Sequence, residues 1–172
     1  MQQPDNETHW FAARTANCRE LKAREILIKY NIEHFIPTRK TLTVRGGRKK
    51  MVEKSLVGNL VFLRATKEVA CSLVNYNGLP VHFIPDRCGK SSMLVVPDKQ
   101  MEDFRRVFEY SVPDNDTFQE FVSGDRVVVV EGDLAGVVGE VFEDSDGTYV
   151  VVTLSGLLQA RAKVPGAFLD KI

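Results

Sequence analysis

Residues 124–141, GDRVVVVEGDLAGVVGEV, decide how the rest of the chain is read. Val127 to Val130 is an apolar, β-branched run and therefore a strand. The loop Gly132-Asp133-Leu134-Ala135-Gly136 follows. Its two glycines bracket a turn that calls for positive φ, which glycine adopts without a Cβ clash. Gly139 lies inside the next valine-rich strand, where it predicts a bulge or a sharp bend of a small barrel. Working downstream, strands are predicted near 126–131, 137–143, 148–154, 158–164 and 168–172, with Asp144-Ser145-Asp146-Gly147 as a turn. Five short strands of this kind make a small barrel.

Upstream of this stretch the composition changes. Residues 111–123, SVPDNDTFQEFVS, are polar and acidic, carry a proline and show no period, so they read as a linker. The net charge of the chain is zero, but residues 1–110 hold 19 Lys/Arg against 12 Asp/Glu, a balance of +7. Residues 111–172 hold 4 against 11, a balance of −7. The basic part suits a polyanion and the acidic part does not. With 172 residues, 44% hydrophobic and 27% charged, the chain is globular and long enough for two small domains. No apolar run has the length of a membrane helix. The start, MQQPDNETHW, has no apolar core, so no signal peptide, no membrane partner and a cytoplasmic location are expected. Cys18, Cys71 and Cys88 are odd in number and far apart, and no CxxC or HExxH spacing exists, so neither disulfides nor a metal are expected.

The basic part has mixed periodicity. Residues 9–15, HWFAART, read as a strand. Asn17 and Glu20 have capping-box spacing, with Asn17 as N-cap, and Ala23, Ile26, Leu27 and Tyr30 then recur on one helical face up to Asn31, a plausible stop. Glu33 to Pro37 is a short strand. RKTLTVR, Gly46-Gly47 and RKKMVEK read as a β-hairpin with a glycine turn. It carries Arg39, Lys40, Arg45, Arg48, Lys49, Lys50 and Lys54 against the single acid Glu53. Such a run is either a solvated edge that blocks strand pairing or a polyanion contact. Ser55 to Arg64 is a buried-type strand, 66–76 a helix, Val81 to Pro85 a strand, and Cys88 to Ser92 a polar loop. A last helix opens at Val96-Pro97-Asp98, with Met101, Phe104, Val107 and Phe108 as its inner face. This order implies an α+β chain: an α/β sandwich on a mostly antiparallel sheet over residues 1–110, the linker 111–123, and a barrel over 124–172.

The valines, Gly132, Leu134, Gly136, Gly139 and Val141 resemble the KOW motif of small SH3-like barrels; a glycine-punctuated hairpin of another small barrel is the alternative. With Trp10-Phe11, the helix after Asn17, Phe35-Ile36-Pro37, the hairpin, Leu56 to Leu63, Val96 to Met101 and the ending Phe168-Leu169-Asp170-Lys171-Ile172, the chain resembles the NusG family of transcription elongation factors from about residue 9 to 172. The Val44-Arg45-Gly46 hairpin and the compact length look more like its operon-specialised members, of the RfaH and UpxY type, the latter regulators of capsular polysaccharide operons.

The resemblance implies a non-enzymatic elongation and antitermination factor without cofactor, a monomer whose N-terminal NGN domain docks on the β′ clamp helices of RNA polymerase and suppresses pausing. The matching positions are Val57, Leu60 and Phe62, with Phe83 a looser candidate. Gly58-Asn59-Leu60 stands where the family has Pro-x-Tyr, which removes an aromatic anchor; the other reading is that these side chains fill the core. Contact with the non-template DNA strand is implied for Arg19 and Lys22 on the first helix and for Arg39, Lys40, Arg45, Arg48, Lys49 and Lys50 on the hairpin. Ala16 and Asn17 replace basic residues of the RfaH motif, so its DNA reading does not transfer, and phosphate contact is what the lysines offer. The KOW loop, Gly132, Asp133, Leu134 and Gly136, marks the domain that in the family recruits ribosomal protein S10 or the termination factor Rho. The alternative function is a ribosome- or RNA-binding KOW protein, which the acidic charge of the barrel half disfavours. The valine-rich strands argue for a constitutive barrel over a helical refold. His9, His34 and His82 meet no nucleophile–base pattern, so no catalysis is expected.

Overall fold

Strand alternation and two amphipathic helices build the first part of the molecule. The computed structural model describes residues 7–55, 57–86, 92–111 and 124–172. The predicted linker (apart from Ser111), Leu56 and most of the 88–92 loop lie outside the described residues. The chain divides into two compact units, residues 1–95 and 96–172.

In the first unit, β1 (His9–Thr15), β2 (Glu33–Phe35), β5 (Leu60–Ala65) and β6 (Val81–Phe83) form an antiparallel sheet in the order β2-β5-β1-β6, with β7 (Val95–Val96) also pairing on β1. Helices α1 (Glu20–Lys29) and α2 (Lys67–Asn75) supply the residues that bury one sheet face. Phe11, Ala13, Val61, Leu63 and Ala65 from the strands meet Ala23 and Leu27 of α1 and Ala70 and Leu73 of α2 in one core cluster. Fully burying each Leu-sized side chain there is worth roughly 1.5–3 kcal/mol. Trp10, Ala12 and Phe62 alternate to the other face and are buried as well.

The helix ends show where local reading holds and where it does not. Thr66 caps α2, its Oγ1 accepting from the Val69 N–H, and α1 ends with Asn31 in the left-handed region at φ +53°, as a stop residue should. The expected Asn17 cap of α1 is corrected. Arg19 occupies the N-cap position, and Asn17 and Cys18 sit before it at φ +56° and +52°. Glu20 is buried and turns away from a capping box, accepting the backbone N–H of Asn59 at 2.6 Å. A tertiary donor has displaced the local one.

Strands β3 (Thr38–Arg45) and β4 (Arg48–Ser55) form a separate two-stranded sheet. Gly46 and Gly47 connect them at φ +56° and +74°. Positive φ at both loop positions is the geometry of a type I′ turn, whose twist matches that of the flanking strands.

The second unit holds α3 (Asp98–Tyr110) and a five-stranded antiparallel sheet in the order β11-β10-β9-β8-β12. Its strands are β8 (Arg126–Val129), β9 (Val138–Asp144), β10 (Gly147–Leu154), β11 (Leu158–Lys163) and β12 (Leu169–Lys171). All five lie where the valine and turn pattern places them. The expected closed barrel is not what the strand pairing records: β11 and β12 are the two ends of an open path. Gly139 has the close approach that a strand glycine signals. A Cβ there would stand 2.5 Å from the Val151 carbonyl oxygen on β10.

Candidate nucleic-acid interface and the C-terminal loop

The hairpin is placed by its base. From α1, the Arg24 guanidinium donates to Glu53 Oε1 at 2.8 Å and to Thr38 Oγ1 at 3.0 Å, and the Thr38 hydroxyl also donates to Glu53. The Thr38 hydroxyl and then Arg24 hold the Glu53 carboxyl below its usual pKa, because both favour the ionised form. Glu53 is thus taken up at the base and does not neutralise the cations further out.

The cross-strand register sorts those cations. Arg39 stands opposite Lys54, Thr43 opposite Lys50, and Arg45 opposite Arg48. Directly opposed residues share a face, and every second residue returns to it. One face of the ribbon therefore carries Arg39, Arg45, Arg48, Lys50 and Lys54 with no acid. The other carries Lys40, Lys49 and Glu53 with Leu42, Val44 and Met51, three apolar side chains more than half exposed. Arg39 is half-buried and burial lowers its pKa, from a value so high that it stays a cation. Arg45, Arg48, Lys49, Lys50 and Lys40 are exposed, as are Arg19 and Lys22 on α1.

The four apolar positions do not form one surface. Leu60 and Phe62 are 1% and 0% exposed, and Phe62 points away from the helix-covered side, beside Phe35. Phe83 lies on the helix-covered side, edge-on to Phe11 at 6.0 Å, half-buried against the core. Val57 sits on the β4–β5 loop, partly exposed, its carbonyl accepting the Ser55 hydroxyl. The αL backbone of Asn59 and its bond to Glu20 set the course of that loop.

The loop Gly132–Gly136 is a tight, self-bonded turn. The Gly136 N–H donates to the Val129 carbonyl and the Val137 N–H to the Leu134 carbonyl, with Gly132 and Gly136 at φ +83° and +86°. Leu134 is buried and Asp133 and Gly136 are exposed. Around this loop, α3 presents a polar stripe at positions 99, 103, 106 and 110. Lys99 Nζ donates to the Gly136 carbonyl at 3.0 Å and to Asp103 at 2.6 Å. Asp103, buried, accepts the Val138 N–H at 3.2 Å. Arg106 donates to the Ala135 and Asp133 carbonyls at 3.0 and 2.7 Å. Tyr110 is held above the usual phenol pKa by desolvation and by its hydrogen bond to the Asp133 carboxylate. Gln100 accepts from both Ser155 N and Ser155 Oγ.

The sequence does not single out Arg24 or this stripe, and it marks Glu20 only as a cap residue, Glu53 only as the one acid of the hairpin and Asn59 only as part of a departure from Pro-x-Tyr. Lys99 and Asp103 have i,i+4 spacing that marks an ion pair, but their loop partners lie more than thirty residues away. Among the described residues no group of three or more His, Cys, Asp or Glu side chains is placed to hold a metal, and Cys18 and Cys71 are free thiols; Cys88 lies outside the described residues. No helix of the described residues is long and apolar enough to cross a membrane.

Comparison with known proteins bears on what these surfaces do. The sequence model of the family described as "Transcription termination factor nusG" matches residues 8–105. The search of curated proteins finds no match. Among solved structures, one titled "Domain interaction in Thermotoga maritima NusG" is 18% identical, with a TM-score of 0.51, over 96% of this chain and 98% of that one. At this identity the likeness concerns the fold alone.

Proposed function

Because this chain belongs to the NusG family, we propose that it is a transcription elongation and antitermination factor that binds RNA polymerase and lowers pausing or termination. The observation that carries the proposal is the family match over residues 8–105, which spans the sheet, the hairpin and most of α3. Residues 1–110 are the proposed polymerase-binding NGN domain, 111–123 the tether, and 124–172 a KOW-type domain that recruits a further protein such as ribosomal protein S10 or Rho. The Val44-Arg45-Gly46 hairpin supports an operon-specialised role of the UpxY or RfaH type, capsular polysaccharide operons included, in the cytoplasm.

Contact with the β′ clamp helices is assigned to the partly exposed Val57 loop, with Leu60 and Phe62 supporting it from beneath. Phe83 packs on the opposite, helix-covered side and serves the core. No chemical step is asked of the protein; its part is to hold the enzyme in its processive form. Arg19 and Lys22 of α1 and cations drawn from the hairpin supply contact to the non-template DNA strand through phosphates, whose neutralisation releases counterions.

Co-purification of the full chain with core RNA polymerase, followed by transcription across a terminator, tests this reading. Retention on the polymerase with raised read-through is expected. A chain that neither binds the enzyme nor changes read-through overturns it.

A further inference from the structure

Resting on that reading, we propose that only one face of the hairpin takes nucleic acid, and that it does so chiefly through the phosphodiester backbone. The binding face is the one bearing Arg45, Arg48, Lys50 and Lys54, with Arg39 at its root. Lys40 and Lys49, equally exposed and nearby in sequence, lie on the other face and take no part.

Three observations carry this. First, the register leaves like charges directly opposed: Arg45 faces Arg48, and Arg39 faces Lys54. Directly opposed like charges destabilise a two-stranded pair. A ribbon that only had to avoid edge pairing has no need of them, since cations on either face serve that purpose. Second, no acid shares the face. Glu53 points to the other side, that of Lys40 and Lys49, and is held there by Arg24 and Thr38, so the excess of cations is larger on the first face. Third, the opposite face carries exposed Leu42, Val44 and Met51, which offer phosphates nothing. Successive same-face residues on β4, such as Arg48 and Lys50, are about 6.8 Å apart, a ladder of cations along one strand. Neither aromatic side chains nor Asn and Gln occur on the face. Stacking and amide readout of bases are therefore not offered.

The test uses the full chain and fluorescein-labelled oligonucleotides: single-stranded DNA, single-stranded RNA of the same sequence, and duplex DNA. Binding is followed by anisotropy across a salt series. The triple substitution Arg45→Ala, Arg48→Ala, Lys50→Ala should lower the salt slope for the single strands by about 2. The double substitution Lys40→Ala, Lys49→Ala should change it by less than about 0.5, against about 1.4 if both lysines met phosphates. Arg45→Lys with Arg48→Lys should keep the wild-type slope. Thermal melts of each variant establish that the fold persists. Whichever polymer binds best identifies the source of the phosphates, and the face assignment stands if the loss follows the triple variant in it. The assignment is overturned if the two sets of substitutions lower the slope alike per charge, or if the triple variant leaves it unchanged. Failure of the functional reading is separate: it is a chain that does not bind polymerase, whatever its behaviour on oligonucleotides.

Discussion

At the hairpin tip Arg45 stands directly across from Arg48. On α3, by contrast, Arg106 ends on two loop carbonyls, and Asp103 is buried between Lys99 and the Val138 N–H. Both regions are rich in charge, yet they dispose of it in opposite ways. In the second unit each charged group on the helix stripe meets a fixed partner of the loop or of its own helix. The hairpin instead gathers cations of one sign on one exposed face and accepts the repulsion. Charge that is satisfied locally holds a structure together; charge that is left facing water is available to something else.

The largest expected effect lies in the second unit. Asp103→Ala removes the buried carboxylate that accepts the Val138 N–H and partners Lys99, and should lower unfolding free energy by about 2 kcal/mol in a denaturant titration. Lys99 is more than half exposed, so its loss of a partner adds little. An unchanged midpoint would mean that the α3 stripe does not hold the loop, and the contrast with the hairpin would vanish. Arg106→Ala comes next. Two hydrogen bonds to exposed loop carbonyls are lost, and about 1 kcal/mol is expected by the same titration.

At the hairpin the sign should reverse. Arg48→Glu replaces a like-charge cross-strand pair with Arg45 by an opposite one, and should stabilise the chain by about 0.2–1 kcal/mol. It should weaken oligonucleotide binding at the same time. A variant that is destabilised would show that Arg48 has a structural partner after all.

The smallest effect is local and pH-dependent. Glu53 has its pKa depressed in the folded chain by Thr38 and Arg24. Its ionised form therefore adds stability above the ordinary value of 4.5, and this is lost as pH falls below that value through the folded pKa. Hydrogen exchange of the β3–β4 amides should speed up below that pH before the β1–β5 amides do. Equal acceleration across both sheets would mean that Glu53 does not anchor the hairpin.

Much of this was readable from residue order. Gly46-Gly47 between two alternating runs specifies a two-residue turn, and the valine runs broken at Gly132, Gly136 and Gly147 specify the C-terminal strands, because these depend on φ preferences and period-two burial that each segment carries by itself. The failures were of another kind. The Asn17-to-Glu20 spacing satisfied a capping rule, yet the Glu20 carboxylate found the Asn59 N–H across the fold. For Leu60 and the looser candidate Phe83 the sequence leaves docking and core filling both open, and it is strand pairing that sends Phe83 towards the helices and seals Leu60 at the start of β5.

What the sequence determined, then, is the list of elements, the glycine turns, the split of charge between the two halves and the family likeness. The fold alone decided which cations share a face, that Glu53 is taken up by Arg24, and that Asp103 and Arg106 close on a loop far along the chain. The reason is physical. Backbone preferences act within a few residues, whereas a salt bridge or a buried hydrogen bond needs only proximity in space, and proximity is set by how strands register and helices pack.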